Sequence, residues 1–83
     1  KYMDKLANRL KELRRLSNLT QKDVSLKAGL SPRSYQGLEL CETQPKLSTL
    51  IALADTFNVS LDFLVGREGD FKDSLYKSKS DIL

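Results

Sequence analysis

The chain has 83 residues and a mass of 9.4 kDa, with 40% hydrophobic and 30% charged side chains. That is enough for one small domain with a core. It leaves no room for a large cofactor cleft, and no apolar run approaches the ~20 residues a membrane-spanning helix needs. Histidine is absent and there is one cysteine. The commonest general base and metal ligand and any internal disulfide are therefore missing.

The net charge is +3, unevenly spread. Residues 1–33 carry nine Lys/Arg against three Asp/Glu, and residues 34–83 carry five against eight. A basic first part suits a polyanion partner, although a solvated helix face gives the same pattern.

Residues 4–17 read as an amphipathic helix, with Leu6, Leu10, Leu13 and Leu16 as its apolar stripe. Thr20 and Asp23 have the spacing of a capping box ahead of a short helix, Gln21–Ala28, which Gly29 ends. Ser31-Pro32 starts a third helix, Ser at the N-cap and Pro at N1, running to about Leu40. Residues 41–46 read as a loop. A fourth helix spans Leu47–Phe57, with Leu47, Leu50, Ile51, Leu53, Ala54 and Phe57 as a wide apolar face. Ser60 caps a last short helix, Leu61–Val65, closed by Gly66. Residues 67–83 are charged and Ser-rich, with Phe71, Leu75 and Tyr76 as a short apolar stripe. No alternating β pattern of useful length appears.

The fold class expected is all-α, a five-helix bundle. Its core should include Leu10, Leu13, Val24, Ala28, Leu30, Tyr35, Leu38, Leu50, Leu53, Ala54, Phe57 and Leu64. A short C-terminal helix or mobile tail over 67–83 would be a dimerisation element. Two short helices around a glycine turn, with the small Ser25 at their crossing, have the pattern of a helix-turn-helix at about 21–40. The same packing also serves helix pairs that bind nothing.

The stretches RLKELRR, LTQKDV, AGLSPRSYQGLE and LIALADTFNVSLDFLVG, together covering about seventy per cent of the chain as Arg9–Gly66, resemble the lambdoid-repressor and Cro-like helix-turn-helix family, also called the xenobiotic-response-element family. The resemblance implies a lambda-repressor-like domain over residues 1–66 that binds duplex DNA by sequence, usually as a dimer. It implies phosphate contact for Gln21 and base reading for Pro32, Arg33, Gln36 and Gly37, with Ser34 on the phosphate side. It also implies an ion pair between Arg14 and Glu39. The chemistry agrees for two of these, since Arg can bond guanine bidentately and Gln adenine; Pro32 and Gly37 have no side chain to offer. Lys22, Lys27 and Lys46 add charge nearby. The chain departs from the family at three places: Cys41 where Gly is common, Glu42 where a basic residue stands, and Lys46 where Ser usually caps the fourth helix. A left-handed Cys41 costs roughly 1–2 kcal/mol, so another turn shape is expected there. Its thiol, beside Glu39 and Glu42, reads as a loop residue rather than a redox sensor.

The functional expectation is a bacterial or phage transcriptional regulator, a repressor, acting in the cytoplasm. Its partners would be double-stranded DNA with a palindromic operator and a second copy of the chain. No catalytic residue, metal site, cofactor, small-molecule substrate or membrane partner is expected. The alternative is a protein-interaction module, an antitoxin or co-regulator, on the same fold. A basic membrane-surface helix at 4–17 is disfavoured because its leucine stripe is needed to close the bundle.

Overall fold

The computed structural model describes residues 2–67. Five helices follow in chain order: α1 (Tyr2–Leu16), α2 (Gln21–Ala28), α3 (Pro32–Glu39), α4 (Leu47–Phe57) and α5 (Leu61–Leu64). No strand occurs among the described residues. Residues 68–83, including Phe71, Leu75 and Tyr76 and the dimerisation role expected for them, lie outside the described residues.

Local chemistry sets the helix ends. The Thr20 hydroxyl accepts from the Asp23 amide at 3.0 Å and the Asp23 carboxylate accepts from the Thr20 amide at 2.9 Å, a full capping box. Backbone and side-chain bonds from Thr20 hold the Asp23 carboxyl below its ordinary range. Gly29 ends α2 at φ +73, where only glycine is free of the left-handed cost. Ser31 caps α3 through the Ser34 amide, and Ser60 caps α5 through the Phe63 amide. Asn58 closes α4 in the left-handed conformation.

Leu6, Leu10, Val24, Tyr35, Leu38, Leu53, Ala54 and Leu64 form one buried cluster. Leu13, Ala28, Leu30, Leu50 and Phe57 pack on it partly covered. α2 packs against α3 and α4, α1 against α3 and α5, and α4 against α5. The Arg9 guanidinium sits 4.0 Å from the centre of the Phe63 ring, tying α1 to α5.

Three apolar residues depart from the expected faces. Leu16 is 78% exposed, Leu47 65% and Ile51 43%. Leu16 stands about 80° round the helix from Leu6 at 100° per residue, at the last residue of α1, where no other helix among the described residues covers it. Leu47 and Ile51 sit on the flank of α4 beyond the Leu50–Leu53–Phe57 contact.

Candidate nucleic-acid interface

Helices α2 and α3 meet around Gly29 as a helix-turn-helix. Ser25 is fully buried at their crossing, and its hydroxyl donates back to the Lys22 carbonyl at 2.7 Å. A larger side chain would hold the helices apart. The Leu30 amide donates to the Ser25 carbonyl at 2.8 Å and closes the turn.

The inner face of α3 is fixed by apolar and ionic contacts together. Tyr35 and Leu38 enter the core, and Glu39 is buried beside them. Arg14 on α1 meets Glu39 through a fork: Nε donates to Oε2 at 2.8 Å and Nη2 to Oε1 at 3.1 Å. Its Nη1 also donates to the Leu19 carbonyl at 3.3 Å. Gln21, the first residue of α2, donates from Nε2 to Glu39 Oε1 at 2.9 Å. One carboxylate therefore joins three helices. Burial opposes its charge, but the bonds from Arg14 and Gln21, with the Tyr35 hydroxyl nearby, outweigh that and hold the Glu39 carboxyl below its ordinary range. The same bond to Glu39 raises the Arg14 guanidinium further. Burial first, and then the Glu39 carboxylate, push the Tyr35 phenol up. The Tyr35 hydroxyl is buried and close to both charges, yet meets neither in hydrogen-bond geometry.

The outer face of α3 is open. Pro32, Arg33, Ser34, Gln36 and Leu40 are exposed. Ser34, at the edge of this face, accepts from the Ser31 hydroxyl at 2.9 Å. A shallow groove beside it is lined by Ser34, Leu38, Thr43, Pro45, Lys46 and Ser48. Lys46 is the N-cap of α4 and makes no side-chain capping bond, so the first amides of α4 have no side-chain cap beside that groove. Lys22 is exposed next to Gln21.

Two expected positions are not part of the open surface. Gly37 is buried, not open on the outer face, because the loop after α3 folds over it. Lys27 lines a separate depression with Ala52, Asp55 and Thr56, against the far half of α4 from Lys46. The turn after α3 also differs from expectation. Cys41 does take the left-handed conformation, at φ +61. The Glu42 amide donates to the Gly37 carbonyl at 2.8 Å and the Cys41 amide to the Leu38 carbonyl at 3.3 Å. This is the Schellman arrangement, and its two bonds offset the cost of the side chain. The carboxylate nearest the Cys41 thiol is Asp4, 3.5 Å away, rather than Glu39 or Glu42. Local loss of hydration and then the Asp4 contact push the exposed thiol up, away from the reactive thiolate. Sequence reasoning missed Leu40 and Thr43 as residues of this face. The signal for Thr43 was a glycine inside a short helix, four residues after Arg33.

Comparison with known proteins agrees with this geometry. A family model described as helix-turn-helix matches residues 10–64. An uncharacterised HTH-type transcriptional regulator of Bacillus subtilis, YobD, is 36% identical over 62 residues, 75% of this chain and 55% of the relative. The HTH-type transcriptional regulator ImmR, also of Bacillus subtilis, is 32% identical over 78 residues, 94% of this chain and 58% of the relative. The cryptic phage CTXphi transcriptional repressor RstR of Vibrio cholerae is 35% identical over 63 residues, 76% of this chain and 56% of the relative. The chain spans little more than half the length of these relatives. With a glycine turn between two short helices, three further helices packed around them among the described residues and a family match over most of its length, the chain belongs to the helix-turn-helix family in its lambdoid-repressor and Cro-like form.

Proposed function

We propose that this chain is the DNA-binding part of a transcriptional repressor and reads duplex DNA through the major groove with α3. The observation that carries this reading is the division of α3. Its inner face is held by Tyr35, Leu38 and the Arg14–Glu39–Gln21 network, while Pro32, Arg33 and Gln36 stand open on the other side. A rigid helix with one free polar face is what a groove ≈12 Å wide admits. Arg33 and Gln36 read base edges. Ser34, Gln21, Lys22, Lys46 and the uncapped amides of α4 hold phosphates on either side. Lys27, beside Asp55, stays outside this set. The named relatives, two regulators and a phage repressor, support the regulatory role. Two copies of the chain reading a palindromic site would place α3 and its mate one helical turn of DNA apart, about 34–36 Å.

Binding measured across salt concentrations separates these roles. Arg33→Ala is expected to lose ~1–3 kcal/mol and to relax preference at one base pair per half-site. Lys22→Ala should weaken all duplexes alike and flatten the salt slope by about 0.9 per lost phosphate contact. Glu42→Lys should tighten binding to any duplex, most at low salt. No duplex affinity near 50 mM salt, with Glu42→Lys changing nothing, would reject the reading and favour a protein partner for this face. Sedimentation with and without DNA tests the dimer; a monomer under both conditions rules it out.

A further inference from the structure

The outer face of α3 has a gap. Gly37 lies four residues after Arg33 and hence on the same side of the helix, yet it is buried while Arg33, Gln36 and Leu40 are exposed. Gly37 is within the helix, so no special backbone angle calls for glycine, and glycine there costs ~1 kcal/mol relative to alanine. Its role is steric. Thr43 Oγ1 stands 2.7 Å from where a β-carbon on Gly37 would be, and Thr43 Cβ stands 4.0 Å from it. A β-carbon at 37 would force Thr43 Oγ1 to move, and a turn about χ1 that moves it swings the γ-methyl with it. The turn that delivers Thr43 is itself pinned to the same glycine by the 2.8 Å bond from the Glu42 amide to the Gly37 carbonyl. Thr43 remains exposed on its other side.

We propose that Thr43 is a specificity-determining residue, seated by the loop in the place that a third outward side chain of α3 would occupy. This rests on the DNA-reading role proposed above for α3. Four residues of helix span ~6 Å, so Thr43 meets a base pair one or two steps along from the one met by Arg33. Its Oγ1 is turned to the helix and its γ-methyl lies beyond 4 Å from the Gly37 position. The methyl is therefore the group that meets the groove, and the base edge that matches it is the C5-methyl of thymine.

The test is selection of bound sites from a random duplex pool, with wild type, Thr43→Ser, Thr43→Val, Gly37→Ala and Arg33→Ala. Wild type should select thymine at a position distinct from the one that Arg33→Ala relaxes. Thr43→Ser, which removes only the methyl, should lose that preference. Thr43→Val, which keeps a methyl in nearly the same shape, should retain it. Gly37→Ala should weaken it at the same position, because the new β-carbon turns the Thr43 side chain and its methyl out of place. Replacing that thymine by uracil in the selected duplex should lower wild-type affinity about three- to fivefold, the value of one buried methyl, and leave Thr43→Ser unchanged. Two results would overturn the inference while α3 keeps its reading role: a selected site identical for wild type and Thr43→Ser, or a Thr43→Val variant weakened equally on every duplex, as a hydroxyl on a phosphate would give. A wild type that selects no duplex overturns both.

Discussion

Removing Arg14 should harm the domain more than removing the charge of Glu39, because the two partners meet water differently. The Glu39 side chain is 3% exposed and that of Arg14 is 20%. Arg14→Met strands a buried carboxylate left with neutral neighbours, the Gln21 amide that donates to it and the Tyr35 hydroxyl close by. Breaking a buried pair in this way costs ~3–5 kcal/mol. Glu39→Gln strands a guanidinium that can turn part of its fork to water, so its cost falls at or below the lower end, ~2–3 kcal/mol. Against a total stability of ~5–15 kcal/mol, either change is large, and each kcal/mol moves the melting temperature of a domain this size by about 4–8 °C. The two changes should not add, since the double variant leaves no stranded charge. Acid gives an independent check. The folded structure holds the Glu39 carboxyl below its ordinary value of 4.5. Its contribution is therefore present above about that pH and lost as pH falls through the folded value. In Arg14→Met the stranded carboxylate gains by taking up a proton, so the penalty relative to wild type should shrink on acidification. The assay is thermal or urea unfolding of the four proteins of the cycle at pH 7 and at about pH 4. Additive single effects, or an Arg14→Met penalty that grows in acid, would refute the reasoning.

Leu53→Ala should cost ~2–5 kcal/mol, because Leu53 is fully buried in the central cluster and the bundle can collapse only partly around the cavity; urea unfolding reads this, and an unchanged midpoint would contradict the packing. Cys41→Gly should stabilise the fold by ~0.5–1 kcal/mol. It relieves the left-handed cost of ~1–2 kcal/mol at φ +61, offset in part by the greater freedom of glycine in the unfolded chain, ~0.4–1 kcal/mol. A lower melting temperature for Cys41→Gly would mean that the thiol contacts to Asp4 and the Met3 carbonyl outweigh the strain.

The helices were legible in the sequence because their ends carry specific chemistry. The Thr20–Asp23 box, Gly29, Ser31-Pro32 and Ser60 each satisfy amides or carbonyls that a helix end leaves open, and α2 and α4 begin and end at the residues expected. Periodicity also found most of the core. It could not say where a neighbouring helix stops, which is why Leu16, Leu47 and Ile51 read as inward and stand exposed. The buried Glu39 was beyond periodicity altogether, since a carboxylate among Tyr35 and Leu38 is expected outside. Only the family resemblance paired it with Arg14. The participation of Gln21 was legible from neither source, because it depends on the angle at which α2 approaches the end of α3. The left-handed Cys41 was misjudged for a related reason: the cost of one backbone angle was weighed without the two hydrogen bonds that the turn gains.

What the fold separates, mutation should separate too. Arg33 and Gln36 are exposed on the outer strip of α3, so their loss should alter DNA binding and leave the melting temperature nearly unchanged. Tyr35, Leu38 and Glu39 lie on the inner strip, and their loss should lower both together. Gln21 belongs to both sides. Its amide nitrogen is committed to Glu39, while it stands at the first turn of α2, where backbone amides point outward. If its amide oxygen and that first turn meet a phosphate, the Arg14–Glu39 pair sets the position of a DNA contact as well as the packing of three helices. Gln21→Ala should then weaken all duplexes alike while costing only a modest amount of stability. Glu39→Gln should weaken them beyond what its unfolded fraction explains, even at temperatures where the variant is fully folded. That excess is the measure of how far a buried ion pair governs the outer surface. If it is zero, the network serves the fold alone.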